Sequence, residues 1–461
     1  MEICKSVKVV RTELYLLPVD LRVPLKFGDQ ILSSVKCARV RVVIESSDGK
    51  RSEGWGETPL SAAWVWPSSL EYHIREKRLI EVCKSIAASY IESDLEGHPF
   101  DIGYQFIANH LGEVISSHNK CYEDEEALPY LGALVAFSAF DLAAYDAYAK
   151  MHDCRVFEVF NEKFLDVDLS KAFDDERFSG KVISDYLEPP KSKLPVWHLV
   201  GGLDPLDNEE LTGNEPNDGY PNVLGDWIRT DGLKCLKIKL KGTDWDWDFA
   251  RMLKVFSIAN NEGVDFYSTD FNCTVMEPEY VNSILDALKK EASDSYEKLL
   301  YVEQPFPYEL DKYMIDVTSV AERKPIYLDE SAHDWTHVKF GKSLGWNGVA
   351  LKTCKTLTGA MLSLSWAKEN GLKLMVQDLT NPMLAQIPHV LLAANAGTIM
   401  GVESNAMQFY PDASLPEAKV HPGIYKRTDG SLDLSTLGNS GFGYKINEIN
   451  RDLPNPLFVC D

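Results

Sequence analysis

Two hydrophobic rhythms divide this chain. In the first third, "SVKVVRTELYLLPV" and "VKCARVRVVIESSDG" alternate apolar and polar positions, as half-buried β-strands do. The second closes on a turn at Asp48-Gly49, and "RSEGWGETPL" reads as the return strand of that hairpin. An Ala-rich stretch, "LPYLGALVAFSAFDLAAYDAYAKMHDC", carries apolar residues at helical spacing. These elements predict an α+β domain over residues 1–190. Between about 161 and 230 the pattern weakens into Pro, Gly, Asn and Asp, which predicts loop around one short strand, "LPVWHLV" (Leu194–Val200).

The rhythm then changes. "CLKIKL", "VDFYSTD", "KLLYVEQP", "PIYLDES", "GVALKT", "KLMVQD" and "TIMGVES" are short apolar runs, each ending in a polar or charged residue and separated by helical segments. Repeating βα units argue for a parallel sheet. With "LPVWHLV" they make about eight strands, which predicts a (β/α)8-type (modified TIM) barrel over 191–420. A dinucleotide-binding sheet competes, but no GxGxxG follows any strand. The tail, 421–461, has too little helix for another unit and is expected to pack back on the N-terminal domain.

"LKIKLKG" places Lys237, Lys239 and Lys241 at every second position, so their ammonium groups share one strand face. Alone, such alternation reads as a solvated edge strand. Composition sharpens the question. The 461 residues hold 47 Lys plus Arg against 70 Asp plus Glu, a net charge of −23, so a lysine cluster is not supplied by the bulk. The same balance argues against nucleic acid or anionic membrane as partner. The nine cysteines are scattered singly without a CxxC pair, against a disulfide framework or zinc knuckle. No run approaches the roughly 18 to 20 apolar residues of a membrane span, and the N-terminus lacks a signal-peptide core. A cytoplasmic protein is expected.

In a barrel of this kind, catalytic groups come from the C-terminal ends of several strands. The ionisable residues there are Lys237, Lys239, Asp270, Glu303, Asp329, Lys352 and Asp378, with gaps from Lys239 onward of 31, 33, 26, 23 and 26 residues. Three converging carboxylates cannot all stay ionised without a cation. All-oxygen ligands suit Mg2+, one per site. Lys239 and Lys352 would face each other across it, with Lys237 as the neighbouring charge that lowers the pKa of Lys239. Lys241 is assigned nothing, Lys355 reads as a helix-start lysine, and the histidines, His198 among them, read as structural.

The order KxK, Asp, Glu, Asp-Glu, Lys resembles the enolase superfamily, in its mandelate racemase/muconate lactonizing enzyme-like branch. The matching segments are "LKIKLKG", "YSTDFN", "YVEQPF", "YLDES" and "VALKTCKTLTGA", with "GWGETP" and "AFSAFDLAAYDAYAK" in the N-terminal α+β domain, which the resemblance implies is a capping domain over the barrel. The resemblance implies Asp270, Glu303 and Asp329 as Mg2+ ligands, Lys239 and Lys352 as an acid/base pair, and Lys237 tuning Lys239. Glu330 supports the ligands. Asn272, Asp378, Trp64, Trp66 and Phe27 are candidates for contacting substrate. The shared step is removal of the proton α to a carboxylate through an enediolate. A racemase or epimerase of a small carboxylate is the leading expectation, with an acid-sugar or hydroxy-acid dehydratase or a cycloisomerase as alternatives and a non-catalytic scaffold as a remote one. A homo-oligomer is the expected assembly. The seventh-strand end, "VQDLTNP", lacks the His-Asp dyad of mandelate racemases, and the eighth, "GVESNA", lacks the Asp-x-Asp of dipeptide epimerases. These departures leave the substrate open.

Overall fold

The computed structural model describes residues 4–27, 30–123 and 125–461, without the side chains of 27 and 30. Its first layer is an antiparallel sheet. Strand β1 (Val7–Phe27) pairs with β2 (Gln30–Ser46), which pairs with β3 (Arg51–Pro59). Helices α1 (Tyr72–Glu92) and α2 (Tyr130–Met151) pack on it. Nearly every residue of α2 is buried, as its all-round apolar sequence requires. The "GWG" motif has a packing reason. A Cβ on Gly54 or Gly56 would collide with the backbone of Ala139, Ala143 and Ala147, one small-residue ridge of α2.

The second body is a near-closed parallel barrel. Its strands are β4 (Lys193–Val200), β5 (Cys235–Lys239), β6 (Phe266–Asp270), β7 (Leu299–Glu303), β8 (Ile326–Leu328), β9 (Gly348–Leu351), β10 (Lys373–Val376) and β11 (Val402–Glu403). They pair in sequence order from β4 to β10, and β11 pairs with β4. Between β10 and β11 the gap is bridged by Ile399 N donating to Leu374 O at 3.0 Å. Several strands are shorter than the apolar runs that predict them, because pairing stops where the chain turns its polar end residues over the barrel mouth. The weakly patterned segment before β5 also contains a helix, α3 (Leu224–Asp231), in addition to loop. Its eight residues, ended by Gly232 at φ 64°, are too few to show a periodicity among so many turn formers.

The lower barrel interior is filled by Trp197, Cys235, Tyr301, Tyr327 and Met375. Tyr301 and Tyr327 stack at 4.5 Å, and Trp197 lies 5.9 Å from Tyr301. This apolar plug closes the bottom of the mouth and lowers the dielectric beneath the charged layer above it. The tail re-enters both bodies. Strand β12 (Ser431–Asp433) pairs with β4, and β13 (Phe458–Cys460) pairs with β1. A buried ion network adds to the join: Arg39 of β2 bonds Glu57 of β3 and, at 3.2 Å, Glu417, which also bonds Arg451 of the tail. Among the described residues, no helix is long and apolar enough to cross a membrane.

Candidate active site

The strand register delivers the charged side chains to one level. Lys239 of β5 is paired with Asp270 of β6, and Asp270 with Glu303 of β7. Asp329 follows β8 directly and Lys352 follows β9. All of them are buried: Lys237 is 3% exposed, Lys239 5%, Lys352 4% and Glu303 0%. The alternating lysines therefore line the barrel interior and not a solvated edge. Leu236 and Ile238, the intervening residues, are buried in the main hydrophobic core.

Each lysine has carboxylate partners. Lys237 Nζ bonds Glu303 and lies 3.1 Å from Glu403 Oε2 and 3.3 Å from Asp270 Oδ2. Lys239 Nζ bonds Asp270 and donates to Asn272 Oδ1 at 2.8 Å. Lys352 Nζ lies 3.1 Å from Asp329 Oδ2 and donates to the Asp378 carbonyl at 3.1 Å. Burial works against Lys237 and Lys352, but the acids outweigh it and hold both ammonium groups above their usual range. Burial likewise opposes the ionised form of Asp270, and Lys239 and Lys237 overcome it. Glu303 goes the other way, pushed well up by burial despite Lys237.

Local backbone sets these contacts. Asn272 and Cys273 adopt φ of 54° and 60°, a left-handed turn that folds the Asn272 amide back toward Lys239. Gln304, at φ 27°, accepts from Asp329 N at 2.8 Å and from Ser331 Oγ at 2.7 Å, so the end of β7 fixes the end of β8. Asp378 accepts from Asn405 N at 2.9 Å and Asn405 Nδ2 at 3.2 Å, tying the loops after β10 and β11 together. Its carboxyl thus serves a loop junction, and its backbone carbonyl is what reaches Lys352.

The cap contributes Trp64. Its indole Nε1 donates to Glu330 Oε1 at 3.0 Å, and Lys352 and Lys355 lie 5.0 and 5.4 Å from its ring centre. Trp66 does not reach the cluster. Its ring is buried in the cap beneath the Arg78 guanidinium at 5.9 Å, because the short turn Ala62–Val65 sends the two indoles different ways. The Phe27 side chain and Gly28 lie outside the described residues.

Three participants were not legible as such. Lys355 is no surface helix-start lysine: in the turn Thr353–Lys355 its ammonium bends inward, 3.5 Å from Asp329 Oδ1 and 3.1 Å from Ala332 O. Glu403 ends the eighth strand and holds Lys237; its only sequence signal is an acid at a strand end, in "GVES". Gln377 bonds Glu303 and donates to Tyr301 OH at 3.1 Å, seating the charged layer on the aromatic plug.

The donor set fits a hard divalent cation. The carboxylates Asp270, Glu303, Asp329, Glu330, Asp378 and Glu403 outnumber the ammonium groups of Lys237, Lys239, Lys352 and Lys355 by two, all of them buried. Of the three proposed ligands, Asp329 keeps a buried oxygen, Oδ1, without a hydrogen-bond partner. As the side chains stand, the acids are turned onto the lysines. Among the described residues, no three His, Cys, Asp or Glu share a coordination point.

Residues 223–450 match the family model described as enolase C-terminal domain-like. They belong to that family. The barrel body thereby belongs to the enolase superfamily, in agreement with the motif order in the sequence. The fold is shared with a muconate lactonizing enzyme from Mycobacterium smegmatis, solved with muconolactone (18% identity, 95% of this chain and 96% of that one, TM-score 0.61). It is shared also with a dipeptide epimerase from Cytophaga hutchinsonii, solved with Mg and a dipeptide (17% identity, 88% and 89%, TM-score 0.58). A third is the L-Ala-D/L-Glu epimerase from Bacillus subtilis (17% identity, 88% and 92%, TM-score 0.58). No curated protein sequence matches the chain significantly.

Proposed function

We propose that the enzyme removes the proton α to the carboxylate of a small acid and returns a proton to the same carbon, as a racemase or epimerase. The observation that carries this reading is the placement of two buried lysines on either side of the acids. Lys239 on β5 bonds Asp270 at one end of the row, and Lys352 after β9 lies 3.1 Å from Asp329 at the other. A substrate carboxylate held between them would present one face of its α carbon to each ammonium group. Asp270, Glu303 and Asp329 would hold Mg2+, which when bound supplies positive charge where the substrate carboxylate gains its second negative charge.

The chain's own groups do the rest. With its carboxylate partner engaged elsewhere, Lys352 loses the attraction that raises its pKa, and burial then favours the neutral amine a base must be. Lys239 stands beside Asp270 on the other side of the row. Lys237 is the candidate for tuning Lys239, since Glu303 and Glu403 fix its charge two positions away on the same strand face.

Dipeptides fit the eighth-strand end poorly. Glu403 is already committed to Lys237 and, at 2.7 Å, to Asn405, so no free carboxylate pair awaits a substrate ammonium. Dehydration or cycloisomerisation through one of the lysines is the alternative outcome of the same first step. Incubation with Mg2+ and a library of carboxylic acids in D2O separates these. Deuterium at the α carbon of both enantiomers without net change supports racemisation, loss of water indicates a dehydratase, and no exchange with any acid refutes the reading.

A further inference from the structure

Beside the charged cluster a cleft of about 470 Å3 opens between the cap and the loops that follow β6, β7 and β8. That volume falls in the range of small-molecule sites. Its walls are mainly apolar and aromatic: Val65 and Leu131 from the cap, Met276, Tyr308 and Tyr313 from the barrel loops. Trp64, Asn272 and Glu330 belong to both the cleft wall and the cluster. Asn272 touches Lys239 at 2.8 Å and Trp64 lies under Lys352 at 5.0 Å, so the cleft is one side chain away from each candidate base.

The wall also carries Ser68, Thr274 and Glu309, and two buried polar atoms on it lack ordinary partners. Trp64 occupies Glu330 Oε1; Oε2 is buried with no nitrogen or oxygen donor in reach, and the Cys273 thiol is a further, weak donor to this carboxyl. His333 Nε2 is also buried without a hydrogen-bond partner. A buried acceptor left unpaired costs stability unless a bound molecule completes it.

We propose that this cleft receives an aromatic or branched apolar group of the substrate and that Glu330 Oε2 accepts a hydrogen bond from a neutral N–H or O–H on it. This rests on the carboxylate site of the proposed function and selects among its substrates. A polyhydroxylated acid would turn part of its hydroxyls onto Val65, Leu131 and Met276, which cannot pair them.

The test uses the Mg2+-loaded protein and calorimetric titration with three acids. Hippurate and its ester isostere benzoylglycolate share phenyl and carboxylate and differ by one N–H; gluconate is the polyhydroxylated control. Hippurate should bind about ten-fold tighter than the ester, the size of one buried hydrogen bond, and gluconate weaker than both. Glu330→Gln should abolish that preference, because Trp64 keeps the amide oxygen at Oε1 and the NH2 replaces the acceptor at Oε2. Met276 is 52% exposed, so Met276→Asp is expected to fold and should weaken both aromatic acids several-fold. Equal affinity for amide and ester, gluconate binding as tightly as hippurate, or no effect of Met276→Asp would each overturn the assignment. Its failure is distinguishable from that of the proposed function. Tight hippurate binding with no α-proton exchange for any acid refutes the chemistry and keeps the cleft, whereas exchange confined to polyhydroxylated acids does the reverse.

Discussion

Trp64 Nε1 donates to Glu330 Oε1 at 3.0 Å across 266 positions of sequence, joining the cap to the strand end that carries Asp329. Trp64→Phe keeps an aromatic ring near Lys352 but removes the donor and part of the buried ring system. It leaves a buried carboxylate oxygen unpaired, so stability to urea should fall by about 1–3 kcal/mol. Adding Glu330→Gln to that variant should cost less than the two single losses combined, as coupled neighbours do. Strict additivity would show that the bond does not hold the cap.

The metal prediction concerns Asp270, Glu303 and Asp329. Glu303→Gln should weaken Mg2+ binding at least ten-fold by calorimetry and remove α-proton exchange. Unchanged Mg2+ affinity in the amide variants of all three acids would reject the ligand assignment.

Lys237 predicts a link between metal and stability. Its ammonium stands among Glu303, Glu403 and Asp270, so Lys237→Met leaves buried like charges together. Without metal the variant should lose about 3–5 kcal/mol. Mg2+ should recover more stability in the variant than in the parent, read as the shift in urea midpoint on adding the ion. An equal shift in both proteins would show that the ammonium and the metal do not share a site.

The two candidate bases predict a split by stereochemistry. Lys352→Ala should lose α-proton exchange for one enantiomer of a confirmed substrate and keep it for the other, with Lys239→Ala showing the mirror result. Full exchange of both enantiomers in both variants would leave the lysines as structural ion-pair partners.

A pH prediction comes from the cap. His98 is 2% exposed, and its Nδ1 accepts from Phe100 N at 3.0 Å at the start of helix Pro99–Asn109. Burial lowers its pKa from 6.5 to about 3. The unfolded chain therefore binds this proton first as pH falls. The contribution is complete above pH 6.5 and is lost progressively toward pH 3, about 4–5 kcal/mol in all. Urea unfolding between pH 7 and 4 should show this slope, and His98→Gln should flatten it.

What the sequence determined was repeat, order and charge. Alternating apolar runs at βα spacing specify a parallel barrel because each strand must bury both faces, and the acids at the strand ends keep their order around any such barrel. The family likeness follows from Lys237, Lys239, Asp270, Glu303, Asp329 and Lys352 read in line. Tertiary structure decided the partners. Lys355 sits where helical periodicity suggests a surface, yet a single turn aims it at Asp329. Glu403 and Gln377 matter only because the eighth and seventh strands come round to face Lys237 and Glu303. Trp64 and Trp66 are two positions apart in sequence; the turn Ala62–Val65 points them apart, and the docking of cap on barrel brings Glu330 to Trp64. Local pattern records which face of an element is buried; which side chains meet across 100 to 300 positions depends on register and docking, which no window of sequence contains.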